Sequence, residues 1–408
     1  MTRRGNRSPR VAAVDLAKTL AEAGFTAWFA GGCVRDELLG RTPKDWDIAT
    51  NATPEQVRQL FPRARSVGES FGVMLVLRHN HPIEIATFRS DGTYSDGRRP
   101  DAVTFAGPQE DAQRRDFTIN GLFQDPHTGQ IHDFVGGVAD LEARCLRAIG
   151  EAHDRFVEDD LRMLRAVRFA AALDLAVDPK TEAAILARSG NLAGVSRERI
   201  GDEIRRMFSH ASRVRAAALI QAWSLDNAIF ADQGAGELWL RLNSLGADVD
   251  FPAVLAAWAL DRAVFQGSAE ELVGQWRSAL LLTNAETNGM RACLDVLARS
   301  QDWPSLDTAG QKRLAANDWF EPARVMLRCV KADLVNEIDR DLIVLRQSGL
   351  APERLIRGDD LLANGHMAGP DLGRVLESVY DAQLRGEIES KNEALDLARR
   401  LAGLSEAP

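Results

Sequence analysis

Apolar and polar positions alternate at two different periods along this chain, and the change between them divides it. Val11, Val14, Leu16 and Leu20 return at helical spacing before Gly24, so positions 11–23 predict a helix that stops at the glycine. Ala27 to Ala30 predicts a short strand running into a helix over Arg35 to Leu39, and Asp45 to Ala49 predicts a second strand. Thr53-Pro54-Glu55 then opens a helix through Leu60, with Thr as N-cap and Pro in the first turn. Val73 to Arg78 and Ile83 to Arg89 are rich in β-branched and apolar residues around His79-Asn80-His81-Pro82, which predicts a hairpin. Val103 to Phe105 adds a short strand. From about Leu141 the strand signal fades and Ala, Leu and Arg recur at helical spacing. The pattern predicts an α+β head followed by an all-helical remainder. No repeat or low-complexity linker interrupts it; Asp302-Trp303-Pro304 and Ala351-Pro352 mark loops.

Composition narrows the class. The chain has 408 residues, 45% of them hydrophobic, enough for several domains with real cores. No apolar run approaches the ~20 residues needed to span a bilayer, so no membrane partner is expected. Met1 to Arg10 is basic but precedes no apolar signal core, and reads as a frayed arm. Cys33, Cys145, Cys293 and Cys329 lack C-x-x-C spacing, which argues for a reducing, cytoplasmic setting and against zinc or disulfides. A net charge of -9 predicts weak non-specific affinity for nucleic acid. It does not exclude such a partner, because arginines cluster at Arg98-Arg99, Arg114-Arg115, the 162–168 series and the 197–206 series.

Candidate chemistry starts at Gly31-Gly32-Cys33-Val34-Arg35-Asp36 and Asp45-Trp46-Asp47. Two glycines and an arginine let backbone N–H groups and a guanidinium, those of Gly31, Gly32 and Arg35, close on a triphosphate. Carboxylates at i and i+2 on a strand share a face, the spacing that holds divalent metal. Asp45 and Asp47 are therefore the candidate catalytic metal ligands, for Mg²⁺. Glu84, alternating with Ile83 and Ile85, is the candidate third carboxylate. In Arg114-Arg115-Asp116-Phe117-Thr118-Ile119-Asn120, Arg115 is placed to hold triphosphate or ribose, with Asp116 and Asn120 orienting it.

The segment Arg155 to Phe169 reads as one helix on which Asp159, Arg162, Arg165 and Arg168 recur every three residues as one stripe. Three arginines on a stripe need an anion to face. An aspartate acceptor beside an arginine donor matches the exposed edge of cytosine or adenine. Uracil and guanine present a carbonyl and an N–H in the same places, leaving polar groups unpaired. The competing reading is an exposed Asp159–Arg162 pair of i, i+3 type.

These motifs resemble the DNA polymerase beta nucleotidyltransferase superfamily, and within it the bacterial-type CCA-adding tRNA nucleotidyltransferases, a class shared with bacterial poly(A) polymerases. The resemblance runs from Gly31 to about Glu203. It includes Asp133 to Leu141, the Glu158-Asp159-x-Leu161-Arg162 run and Ser196-Arg197-Glu198-Arg199-Ile200. It implies a head over 1–140, a neck over 141–215 carrying the base template, a body over 216–350 and a tail over 351–408. It implies addition or repair of the tRNA 3′-terminal CCA from CTP and ATP, with Mg²⁺, tRNA held at acceptor stem and elbow, and no obligate protein partner. By position, Gly32, Arg35 and Arg115 correspond to triphosphate or ribose contacts and Asp45 and Asp47 to metal ligands. Asp159 and Arg162 correspond to the base template, with Arg165 and Arg168 nearby. Arg89 to Pro100 corresponds to the family's flexible loop. Poly(A) polymerases of the class carry a basic run where Glu69-Ser70-Phe71-Gly72 stands here.

Overall fold

The computed structural model describes residues 8–68, 72–92, 103–232, 234, 238–262, 267–364 and 369–402. It divides into two compact units, Met1–Gln233 and Gly234–Pro408.

In the first unit, Ser8 caps α1 (Pro9–Glu22) through its hydroxyl, so Pro9 and Arg10 of the expected arm already belong to the helix; residues 1–7 lie outside the described set. The buried face of α1 is Ala12, Ala13, Leu16, Ala17 and Leu20, whereas Val11 is exposed. Small alanines let the helix lie close to the sheet, which rotates the predicted stripe by about one position. Then follow β1 (Ala27–Ala30), α2 (Gly32–Leu38), β2 (Asp47–Thr50) and α3 (Pro54–Leu60). Thr53 and Gln56 close the predicted start of α3 with a reciprocal capping box.

β3 (Arg65–Gly68), β4 (Val73–Arg78) and β5 (His81–Thr87) form a meander. Its β4–β5 turn is only His79-Asn80, both at positive φ (50° and 68°), the twist a two-residue hairpin turn requires. β6 (Arg89–Asp91) pairs with β7 (Val103–Phe105) as a separate ribbon. The start of the expected flexible loop is therefore a strand, and its residues 93–100 lie outside the described set.

α4 (Pro108–Gln113), β8 (Leu122–Gln124), β9 (Ile131–Asp133) and α5 (Gly137–Glu142) complete the head. The seven-stranded sheet runs β3-β4-β5-β2-β1-β8-β9 and is mixed. Its one parallel pair, β2 and β5, sets Asp47 directly opposite Glu84.

The run Asp133 to Leu141 is a scaffold device. The Asp133 carboxylate accepts the N–H groups of Val135, Gly136, Gly137 and Val138 at 2.8–3.0 Å, capping α5. A Cβ on Gly137 would lie 2.2 Å from the Thr118 carbonyl oxygen, so only glycine admits this approach. Asp140 in turn accepts the Thr118 hydroxyl at 2.7 Å. These contacts fix the 3₁₀ turn Thr118–Asn120 that carries Asn120 to the site.

Beyond the head the unit is helical: β10 (Cys145–Leu146), α6 (Ala152–Glu158), α7 (Arg162–Leu173), β11 (Ala176–Val177), α8 (Pro179–Arg188), α9 (Arg197–Phe208), α10 (Arg213–Ala222) and α11 (Leu225–Phe230). Two corrections to the sequence reading arise here. Strand character persists in the short parallel pair β10–β11. The segment Arg155 to Phe169 is also two helices, because Asp159 is extended (φ −156°, ψ 102°) and breaks the turn between α6 and α7.

The second unit is all helical among its described residues, from Leu240–Ser244 to Lys391–Leu401. Trp258 meets Trp276 edge-on at 5.0 Å, and Leu361, Val375, Val379 and Ala394 make a further core. No described helix is long and apolar enough to cross a membrane.

Candidate active site

A cavity of about 830 Å³ opens over the C-terminal part of β1 and the β2–β5 pair, bounded on its other side by α7 and α9. It is lined by Gly31, Gly32, Arg35, Asp47, Glu84, Arg115, Asp116, Asn120, Asp159, Arg162, Arg165 and Arg168. The sequence-derived candidates thus converge, with one exception. Asp45 is exposed and outside the cavity wall, because β2 begins only at Asp47 and the alternation expected from a common strand does not apply to it.

At the glycine end, Gly31 sits at φ +69° and donates to the Leu122 carbonyl at 2.9 Å. A Cβ there would meet the Arg115 guanidinium at 2.7 Å. The first N–H groups of α2 have no intrahelical acceptor and face this glycine turn. Arg35 is 8% exposed and fully engaged: Nη1 donates to Asn120 Oδ1 at 2.6 Å, Nε and Nη2 to Asp36 Oδ1 at 2.8 and 2.7 Å. Arg115 is braced by Asp111 Oδ2 at 3.0 Å and by the Asn120 carbonyl at 3.0 Å. Asn120 therefore orients both arginines. The sequence led to the expectation that Asp116 orients Arg115; instead it faces α7 and accepts Arg165 at 2.6 and 2.8 Å.

The acid end is electrostatically uncomfortable. Burial, then the charges of Glu84 and Asp45, push the Asp47 carboxyl up to about 6, against the opposing pull of Arg115. Cys33, packed behind it, is pushed up to about 11 by burial and is no nucleophile. Among the described residues no group of three His, Cys, Asp or Glu converges to hold a cation unaided.

At the far end lies the template candidate. Asp159 Oδ2 accepts Arg199 Nη2 at 2.6 Å and Oδ1 accepts the Leu161 N–H at 3.1 Å. Arg162 Nη1 instead pairs with Glu158 at 2.6 Å and the Arg155 carbonyl at 3.0 Å. An Asp159–Arg162 pair along a helix is thus not formed, because the chain breaks between them. Nor do the three arginines stand without anions. Arg168 donates to Glu203 at 2.7 Å, Arg165 to Asp116, and Arg35, Arg165 and Arg168 lie over the Phe169 ring at 5.2, 5.4 and 4.3 Å.

Asp111, Glu158, Arg199 and Glu203 are the residues that sequence reasoning left without a role. The i, i+4 spacing of Asp111 with Arg115 and of Glu158 with Arg162 was the signal for two of them. For Arg199 no local signal exists, since its partner Asp159 is 40 residues away, and for Glu203 the local i, i+3 contact with Arg206 gives no hint of Arg168, 35 residues away.

Residues 27–147 match the model described as the poly A polymerase head domain, and 174–230 that described as the probable RNA and SrmB-binding site of polymerase A. The CCA-adding enzyme of Geobacillus stearothermophilus is 34% identical over 396 residues, covering 95% of this chain and 96% of that protein. That of Latilactobacillus sakei is 33% identical over 390 residues, covering 94% and 96%. The chain belongs to the CCA-adding enzyme family. Family membership also agrees with structure: the Bacillus stearothermophilus CCA-adding enzyme in complex with CTP superposes with a TM-score of 0.77 at 28% identity, over 97% of this chain and 98% of that one. The Thermotoga maritima enzyme complexed with tRNA shares the fold at 20% identity and a TM-score of 0.68.

Asp116 gives this family member a pH signature. Burial alone would raise its carboxyl, but Arg165, Asn120 and the Phe117 N–H outweigh burial and bring it to about 2. A folded value below the ordinary 3.8 means that its stabilisation is complete above that value and fades as pH falls toward 2. Asp116→Asn, which leaves Arg165 without its nearest counter-ion, is expected to destabilise the fold by about 3 kcal/mol. The gap in thermal midpoint from wild type should be constant between pH 7 and 5 and narrow below about 4. A gap independent of pH down to 3 would remove the ion pair as its cause.

Proposed function

We propose that this chain completes or repairs the 3′-terminal CCA of tRNA from CTP and ATP, releasing pyrophosphate at each addition. One observation carries the reading beyond family membership: a single cavity has phosphate-sized cationic contacts and carboxylates at one end and Asp159 beside Arg162 at the other. In this reading one nucleotide occupies the cavity, its phosphates at the first set of residues and its base at the second. The match to a poly A polymerase head does not decide between polymerase types, but the full-length relatives are CCA-adding enzymes. The Glu69-Ser70-Phe71 segment, which separates the two types in sequence, lies outside the described residues.

Each residue has a role in this proposal. Arg35 and Arg115, immobilised by Asn120, Asp36 and Asp111, hold the triphosphate without spending their own freedom on binding. Asp47 and Glu84, with Asp45 entering from the loop, supply hard oxygen donors whose mutual repulsion a divalent cation relieves. Mg²⁺ fits such a set because it keeps few protein carboxylates and takes its remaining ligands from phosphate and water. When bound it would acidify the attacking hydroxyl and offset charge on the leaving pyrophosphate. The primer 3′-hydroxyl loses its proton to solvent as its oxygen bonds the α-phosphorus and the α–β bridging P–O bond breaks, and Arg35 and Arg115 retain the departing pyrophosphate. The working compartment is the cytoplasm.

The test is purified protein with tRNA ending at the residue before CCA, offered each of the four nucleotides singly and CTP with ATP together. CTP alone should add two residues, ATP should then add one, and elongation should stop. An acceptor–T arm minihelix should serve as substrate, since recognition rests on shape and phosphates. Long homopolymer tails from ATP alone would instead make the protein a poly(A) polymerase.

A further inference from the structure

Inside the cavity nearly every guanidinium has its own carboxylate: Arg35 has Asp36, Arg115 has Asp111, Arg162 has Glu158, Arg165 has Asp116, Arg168 has Glu203. Outside the cavity lining, in the segment that leads into Asp45, the rule reverses. Arg41 and Lys44 stand in the segment leading into Asp45, and both are exposed. Among the described residues neither has a carboxylate partner. The Arg41 guanidinium donates to a backbone carbonyl, that of Ala172 at the end of α7, at 3.1 Å, so no described carboxylate offsets its charge. Among the described residues Lys44 makes no hydrogen bond.

His210 joins them from the end of α9, one turn beyond the cavity residue Arg206. Its Nδ1 accepts the Ser212 N–H at 3.1 Å, which places the ring proton on Nε2 and leaves that atom as the donor. Burial, then the charges of Lys44 and Arg41, lower the basicity of its ring.

Exposed cations gathered without counter-ions repel one another, and the arrangement is stabilised by a polyanion. The location says which one. Lys44 directly precedes Asp45, two residues from Asp47, where the 3′-hydroxyl of an incoming strand must arrive. We propose that Arg41, Lys44 and His210 form a track that holds backbone phosphates of the RNA strand just behind its reacting 3′ end. The inference rests on the tRNA-extending function proposed above. It assigns these residues to the primer strand and not to the nucleotide, whose phosphates are served by Arg35 and Arg115.

The experiment compares Lys44→Ala, Arg41→Ala and the double variant with wild type, with Lys18→Ala on α1 as a charge-matched control. Steady-state extension of tRNA lacking CCA is measured over a salt series, and binding of the same tRNA is followed by fluorescence anisotropy without nucleotide. The double variant should raise KM and Kd for tRNA about tenfold, with KM for CTP unchanged. The slope of log affinity against log salt should shrink by about 0.7 per lost single-strand contact. Lys44→Ala alone breaks no hydrogen bond, so its smaller shift in the same direction is free of any folding effect. Unchanged tRNA affinity overturns the track, as does an equal shift in Lys18→Ala. So does altered pyrophosphate inhibition with normal tRNA affinity, which would make the cluster a product site. If wild type extends no tRNA, the proposed function falls, and the anisotropy series still decides the track.

Discussion

Asp47→Asn is expected to lower nucleotide addition about a thousandfold or more while CTP and tRNA still bind within a few fold. Loss of a metal-ligating carboxylate removes several kcal/mol of transition-state charge stabilisation, and each 1.4 kcal/mol is tenfold. The same substitution should not destabilise the metal-free protein. Asp47 is held near 6 by burial, Glu84 and Asp45, so its ionised form is disfavoured in the folded state. A carboxyl with a raised folded value costs nothing below 3.8, where both states are protonated, and its cost grows as pH rises through about 6. The thermal midpoint of Asp47→Asn should therefore equal or exceed that of wild type at pH 7.5, with the advantage vanishing near pH 4. Activity lost together with stability would mean that Asp47 is a structural residue and that the acid end has been misassigned. Glu84→Gln, across the parallel pair, should act in the same sense more weakly.

The head was legible in sequence because its elements announce themselves locally. Thr53-Pro54 carries its cap, the β4–β5 hairpin its left-handed Asn80, and Gly31 stands where any Cβ would strike Arg115. The site was legible as a set of residues but not as a set of bonds. Asp116 and Arg165 are 49 positions apart, Asp159 and Arg199 are 40 apart, and spacing along one element says nothing of such pairs. The break at Asp159 was missed for a related reason. Helical periodicity continues across it, since apolar residues on both sides are buried, while the extended conformation of Asp159 is imposed by Arg199 and the Leu161 N–H. For Asp45 only the element differs: the strand expected to begin there begins two residues later, so its side does not follow from strand alternation.

That break bears directly on the base selection proposed for Asp159 and Arg162. In an unbroken helix Asp159 would be one more exposed acid; extended, it presents its carboxylate to the cavity wall. Two of its lone-pair sites are taken, by Arg199 and Leu161, and a carboxylate offers about four. Arg162 keeps Nη1 on Glu158, while Nη2 has only a long 3.5 Å contact to the Arg114 carbonyl. One acceptor edge and one donor are thus spare, the complement of the amine and ring nitrogen of cytosine or adenine. Asp159→Ala should admit UTP relative to CTP, because the acceptor that opposes the uracil carbonyl is gone. A bidentate contact is worth roughly 1–3 kcal/mol, so selectivity should fall about ten- to a hundredfold. Arg162→Ala should weaken C and A incorporation together without favouring U to the same degree. Arg199→Ala, which frees Asp159 Oδ2 and removes its orientation, should lie between wild type and Asp159→Ala in selectivity. The measurement is kcat/KM for all four nucleotides on each variant. Uniform loss of activity in Asp159→Ala, with the C-to-U ratio intact, would reduce Asp159 to the anchor of Arg199 across the α6–α7 break and end the template reading.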